Sequence, residues 1–357
     1  MLSNSFKIIF ALLYIPLAFE ILFRVMAPVP MMPRYVVATP YGIRGNKPNM
    51  SYEHSTAEYK IKIQTNSKGI RAEKEIQYEK PENIKRIVLL GDSFGMGYGV
   101  NLDQMFSTRM AHYLEAKSGK IIEIVNLSTS GHGNAEELIT LQNEGFKYKP
   151  DLVLLAWHNT DLDDNVRSNL YEVSEGQLKR KADSYLPAVK EREFLNRFLI
   201  YRFLAENSQT YNFLRNWAGK NAKEWLAKAR FKKKRQPQNN SEKSDTTTKR
   251  EFKCNLMMAI LKQMDTECRL NNSNFLILDI PLRLSRKEFK SIFPLECDGE
   301  QVEFNIVSPI EKFKTRSGEQ IYWERGDGHF TPLGCDLVGE VLADFIDNRK
   351  LLDTLKQ

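Results

Sequence analysis

The chain has 357 residues, of which 42% are hydrophobic, so it can hold one large or two modest domains with ample material for a core. Its 52 Lys/Arg against 45 Asp/Glu give a net charge of +7. The four cysteines (Cys254, Cys268, Cys297 and Cys335) form no C-x-x-C pair and no zinc-like spacing with histidine, which argues against a disulfide scaffold or a metal site. An oxidising compartment would permit a bridge, but the spacing selects none.

From the N-terminus, the apolar run Ile8 to Val25 follows Lys7 and reaches about 20 residues, the length that spans a bilayer. Glu20 and Arg24 stand four apart, on one helical face near its exit end, where they can pair or snorkel. Val25-Met26-Ala27 resembles a small-residue cleavage site, yet Pro28 directly follows it. The expectation is an uncleaved single-pass anchor over residues 1–27, with lipid as its partner. Lys7 favours a cytoplasmic N-terminus, Arg24 and Arg34 weaken that asymmetry, and the body is expected to be periplasmic or otherwise extracytoplasmic. The competing reading is a buried core helix.

Residues 28–84 are expected to form a tether and a β-rich collar. Pro28, Pro30, Pro33 and Pro40 mark an extended lead, and Tyr59-Lys-Ile-Lys-Ile-Gln-Thr65 alternates polar and apolar like a half-buried strand. A first α/β part over 85–165 follows. It contains strands at Ile87–Leu90, Ile121–Val125 and Leu152–Trp157, and helices around Asp103–Ala116 and Ala135–Phe146. A second part over 251–357 supplies strands at Phe275–Asp279 and Phe304–Val307 and a closing helix at Gly334–Ile346. Such alternation means a parallel sheet with helices on both faces.

Between the parts lies an insertion over 166–250 with 20 Lys/Arg and 9 Asp/Glu, so it carries the whole basic surplus. Its middle is helical and rich in aromatics, among them Phe194, Phe198, Phe203, Phe213 and Trp217. The tail from Phe231 to Thr248 reads as disordered. Its helices are expected to bury their aromatics in a core of their own. The alternatives are a lid over the sheet edge and docking on a membrane surface. No nucleic-acid reader motif accompanies the charge.

The chemistry-bearing residues sit at strand ends. Ser93 follows the first α/β strand, where such sheets place their ligands. Asp327 and His329 lie far downstream in Asp327-Gly-His329, just before the closing helix. Serine, histidine and aspartate in these roles make a nucleophile, a base and an orienter. The plainer alternatives are a helix N-cap for Ser93, a surface-turn histidine for His329 and a turn cap for Asp327.

Four segments resemble the blocks of the SGNH (GDSL-type) hydrolase and acyltransferase family. Gly91-Asp92-Ser93-Phe94 resembles the first and Asn126-Leu-Ser-Thr-Ser-Gly131-His-Gly133-Asn134 the second. Trp157-His-Asn-Thr-Asp161-Leu-Asp-Asp-Asn165 falls at the third, and Asp327-Gly-His329-Phe-Thr-Pro-Leu-Gly334 resembles the last. The resemblance implies a flavodoxin-like three-layer α/β/α sandwich and esterase or acyl-transfer chemistry. It further implies an oxyanion hole from the amides of Ser93 and Gly131, with an asparagine side chain of the third block. Thr160 occupies that asparagine's place and Asn159 precedes it, a departure from the family pattern. Either could donate instead; without a third donor the rate would drop about 10²–10³-fold.

Other motifs fail. Asp161, Asp163 and Asp164 do not make a calcium loop, because Val166 stands at the turn-glycine position; a solvated loop cap is expected there. His132 and His158 are expected to line the pocket or a loop. Gly95, Gly97 and Gly99 lack the dinucleotide spacing, since Val100 takes the sixth position. No cofactor and no metal are expected. The sequence therefore points to a membrane-anchored esterase or O-acyltransferase acting on an acyl ester, with an envelope glycan as candidate substrate. Its rival is a non-catalytic envelope carbohydrate-binding or assembly protein on a decayed hydrolase fold. Protein partners, acyl length and hydrolase against transferase are not written in the residues.

Overall fold

Strands with continuous apolar runs that alternate with amphipathic helices must bury both faces of one sheet, and the computed structural model shows that arrangement. It describes residues 4–26, 36–56, 58–218, 221, 242–294, 296–297, 300–301, 303–325 and 328–353. Five parallel strands carry the fold. They are β5 (Ile84–Gly91), β6 (Ile121–Asn126), β7 (Leu152–Trp157), β10 (Asn274–Asp279) and β11 (Asn305–Val307), in the spatial order β11-β10-β7-β5-β6. Numbered by appearance this is 2-1-3-4-5, the flavodoxin-like order, whose crevice opens at the carboxyl ends of the first and third strands.

The period-2 alternation of side chains sorts each strand between two cores. Ile87, Leu89, Leu152, Leu154, Leu276 and Leu278 face the helices α2 (Phe106–Ser118) and α9 (Pro332–Asn348) through Met110, Leu114, Val338 and Leu342. Val88, Leu90, Val153, Leu155 and Ile277 face α3 (Asn134–Asn143) and α8 (Glu242–Leu270) through Leu138, Met257, Leu261 and Met264. These layers complete an α/β/α sandwich. Each fully buried Leu or Ile contributes roughly 1.5–3 kcal/mol of transfer free energy, and Leu170 and Tyr171 from the start of the insertion join the second of these cores.

The collar is built from two hairpins. β3 (Ser51–Ser55) pairs antiparallel with β4 (Lys60–Gln64), and Ile61 and Ile63 of the alternating strand are buried. The lead before it is more ordered than its prolines suggest. β1 (Val36–Ala38) pairs with β2 (Arg44–Asn46), and Pro40 lies in the intervening turn. Pro28, Pro30 and Pro33 lie outside the described residues.

The N-terminal segment folds as one helix, α1 (Asn4–Met26). The expected spanning anchor is not found as such: among the described residues, no helix is long and apolar enough to cross a membrane. Pro16, Glu20 and Arg24 interrupt the apolar run, and the Glu20 carboxylate is engaged by the insertion.

The insertion also departs from expectation. After α4 (Asp161–Ser168) it forms a hairpin, β8 (Tyr171–Ser174) with β9 (Gln177–Arg180). The helices α5 (Val189–Leu195), α6 (Leu199–Asn207) and α7 (209–218) come next. Their aromatics do not form a core; Phe194, Phe198, Phe203 and Trp217 are exposed. The tail expected to be disordered is helical from Glu242, because there it is the first part of α8. The rest of that tail lies outside the described residues.

Candidate active site

The end of β5 turns sharply at Asp92, and backbone bonds from Met96 to the Asp92 carbonyl (3.0 Å) and from Tyr98 to the Ser93 carbonyl (3.1 Å) wind the turn. This leaves Ser93 at the carboxyl edge of the sheet. The turn can lie so close to the second block only because residue 95 is glycine: a Cβ there would come 2.3 Å from Ser128 Oγ. Asn126 reinforces the approach, donating from Nδ2 to the Gly95 carbonyl at 2.8 Å.

His329 meets Ser93 across that edge, its Nε2 lying 2.7 Å from Ser93 Oγ. Its ring packs against Phe94 (centroids 4.7 Å apart) and stacks on Tyr98 (5.5 Å). The segment carrying it is tied at both ends. Trp323 donates from Nε1 to the Gly99 carbonyl at 3.0 Å, and Thr331 caps α9 by accepting the Gly334 amide at 3.2 Å, with Pro332 in the first turn. Asp327, the expected third member, lies outside the described residues.

The two amides expected to bind an oxyanion are both available. Among the described residues, no acceptor takes the backbone N–H of Ser93 or of Gly131. Gly131 holds a φ of +78°, a conformation that side chains other than glycine resist. In the third block the candidates separate. Thr160 is exposed, and its hydroxyl is 2.9 Å from His158 Nδ1. Asn159 is half-buried, and its Oδ1 is buried without a hydrogen-bond partner among the described residues.

Beneath the site lies a buried acidic network that the sequence presents as a solvated loop. Asp161 is fully buried, and its Oδ2 accepts the His158 amide at 3.1 Å and Asn134 Nδ2 at 3.0 Å. Asn134 also donates to Glu137 Oε2 at 2.9 Å. Burial pushes the Glu137 carboxyl up to about 8 and Asp92 to about 6, and raises Asp161 well above the usual carboxylate range. Asp163 and Asp164 pair with Lys253 and Arg167 at the start of α4, where the helix dipole favours carboxylates. Among the described residues, no group of three or more His, Cys, Asp or Glu could hold a metal ion. His132 is buried, with Nε2 donating to the Arg44 carbonyl at 2.8 Å, and burial depresses it to about 3. Burial likewise lowers His158 to about 4, so both rings are neutral near pH 7.

Two arginines that sequence reasoning passed over organise this edge from the collar. Arg71 is buried and donates from Nη1 to the Met96 (2.7 Å) and Gly97 (2.6 Å) carbonyls, and from Nη2 to that of Val100 (2.7 Å). It thus holds the turn that follows Ser93. Arg44 donates to the Gly131 carbonyl and pairs with Glu136 at 3.3 Å, while Glu136 accepts the Gly133 amide at 3.1 Å. The only sequence signal for Arg71 is its place between apolar Ile70 and Ala72.

No protein-family model matches this chain, and no curated protein does. Solved structures overlap with it at low identity. A lipase from a goat rumen metagenome has a TM-score of 0.37 at 13% identity, over 73% of this chain and 97% of its own. A putative lipolytic protein of the G-D-S-L family from Desulfitobacterium hafniense has 0.37 at 11%, over 73% and 99%. A lipase/acylhydrolase from Enterococcus faecalis has 0.37 at 13%, over 74% and 96%.

Proposed function

We propose that the chain is an SGNH-like serine esterase, or an O-acyltransferase using the same acyl-enzyme, with an acyl ester as substrate and an envelope glycan as candidate acceptor or donor. The observation that carries this is the 2.7 Å approach of His329 Nε2 to Ser93 Oγ. In the proposed reaction Ser93 donates its proton to His329 as Oγ attacks the acyl carbonyl, and the amides of Ser93 and Gly131 receive the developing oxyanion. His329 then protonates the leaving alcohol. Water or a sugar hydroxyl releases the acyl group by the same steps in reverse order. Asp327 is assigned the orienting role on the imidazole, and Asn159 is assigned that of third donor through its Nδ2, because the Thr160 hydroxyl is engaged with His158. Ser93→Ala should abolish p-nitrophenyl acetate turnover; turnover that survives unchanged overturns the assignment.

The exposed, engaged Thr160 is what favours the rival, a non-catalytic envelope protein, and the same assay separates the two. We further propose that α1 attaches the protein to a membrane with its body outside the cytoplasm. The apolar run Ile8 to Val25 after Lys7 is what motivates that attachment and orientation. Retention in the membrane fraction after a carbonate wash tests the attachment, and release into the supernatant refutes it.

A further inference from the structure

We infer that the outer face of α5–α7 lies on an anionic bilayer surface, so that the insertion is a second membrane contact beside α1. This inference rests on the membrane attachment proposed above and is independent of the chemistry at Ser93.

The face is defined by what α6 buries and what it does not. Ala205 is buried and Tyr201 is turned toward Tyr211 of α7, with ring centroids 6.0 Å apart. Leu199 (73% exposed), Ile200 (76%) and Phe203 (64%) point the other way, at the i, i+1, i+4 spacing of one helical face. Phe198 before α6 and Leu214 and Trp217 in α7 are exposed as well. Soluble monomers rarely leave such patches in water.

Three observations select lipid over a protein partner. The first is that α1 is fixed to the same helices. Glu20 accepts bonds from Ser208 Oγ (2.8 Å) and the amides of Gln209 (2.9 Å) and Thr210 (3.0 Å), Arg24 donates to the Asn207 carbonyl, and Phe23 stacks on Phe213 at 4.5 Å. The second is the exposure of α1 itself: Tyr14, Ile15, Leu17, Phe19, Ile21 and Leu22 are all exposed over an arc of roughly 200° at about 100° per residue, opposite the face of Glu20, Phe23 and Arg24 that packs on the insertion. A helix packed on protein buries a stripe about 100° wide, and an exposed apolar arc about twice that suits hydrocarbon. The third is charge. Residues 190–218 hold five Lys/Arg against three Asp/Glu, a basic balance that suits anionic headgroups, and the sequence 219–235, which apart from residue 221 lies outside the described residues, adds eight Lys/Arg against one Asp/Glu. Basic residues beside Trp, Phe and Leu are the composition of helices that lie in the interface plane.

The test uses the full chain reconstituted in vesicles of phosphatidylcholine and phosphatidylglycerol. A bimane probe is placed at Ile200→Cys or Leu199→Cys, both exposed sites whose change should not disturb folding, and at Ile121→Cys as a control on the sheet domain. Lipids carrying a quencher high on the acyl chain should reduce emission at 199 and 200 about twofold or more and leave 121 near its starting intensity. The contact should weaken as salt rises. Vesicle-bound protein with an unquenched probe at both sites overturns the inference but leaves the attachment through α1 standing. Protein that does not associate with vesicles overturns both. A blue-shifted probe without lipid quenching means that a second copy or another protein covers the face, and also overturns it. Turnover of p-nitrophenyl acetate should be unchanged in all three labelled proteins.

Discussion

Replacing Arg71 by methionine should both destabilise the protein and disorder the turn that carries Ser93. The guanidinium is 2% exposed and satisfies the carbonyls of Met96, Gly97 and Val100 at 2.6–2.7 Å. Hydrogen bonds involving a charged group contribute roughly 1.5–3 kcal/mol each, and three of them are lost together. Methionine recovers part of that, because it removes the cost of burying a charge, but three buried carbonyls left without a donor cost about 1–3 kcal/mol each, for a net loss of about 3–5 kcal/mol. At roughly 2–4 °C per kcal/mol for a domain somewhat smaller than this one, the melting temperature should fall by about 6–20 °C. Arg71→Lys should recover little, since a single ammonium cannot match the planar fork. Thermal unfolding followed by circular dichroism, with p-nitrophenyl acetate turnover at 20 °C on the still-folded fraction, reads both effects. A shift of less than about 2 °C would refute the view that the collar holds the nucleophile turn.

Arg44→Ala should leave KM for a small ester nearly unchanged and lower kcat about 10–100-fold, because it frees the Gly131 peptide without removing the amide donor itself; an equal loss in both parameters contradicts this. Asn159→Ala should reduce kcat by about 10²-fold and Thr160→Val by less than about threefold, and the reverse order would return the third donor to Thr160. Glu137 binds its proton more tightly folded than unfolded, with burial raising it from the ordinary 4.5 to about 8. The folded state therefore retains a proton that the unfolded chain has lost, and stability should fall as pH rises through that window. Glu137→Gln keeps an acceptor for Asn134 and should lessen the fall in melting temperature between pH 5 and pH 8, with Asp92 and Asp161 supplying what remains; parallel curves for the two proteins would show that Glu137 does not titrate as described.

The sandwich was legible because its central strands carry continuous apolar runs, and nothing but a two-faced core accommodates Leu152 to Trp157. Ser93 and His329 were legible as a pair because each directly follows or precedes an element with a clear pattern. The supporting arginines were not. An arginine in a polar collar reads as solvated, and only the fold shows that Arg71 points inward at three carbonyls. Asp161 escaped for a similar reason: an acidic run at a helix start resembles a solvated cap until Asn134 and the His158 amide are found around it. The aromatics of the insertion misled because apolarity marks a wish to leave water without saying what replaces it. The tail misled at Glu242, where polar residues of low propensity are carried into a helix by the buried positions at Leu256, Ile260 and Met264 further along it.

The most direct test of the central claim is covalent. Incubating the intact protein with a fluorophosphonate and mapping the adduct by mass spectrometry should place one label on the Ser93 peptide. Ser93→Ala should remove that label, and His329→Ala should slow labelling by about 10³-fold or more, as the nucleophile loses its base. A folded protein that takes no label, or takes it on another serine, would contradict the assignment of Ser93 and His329 as a nucleophile and its base.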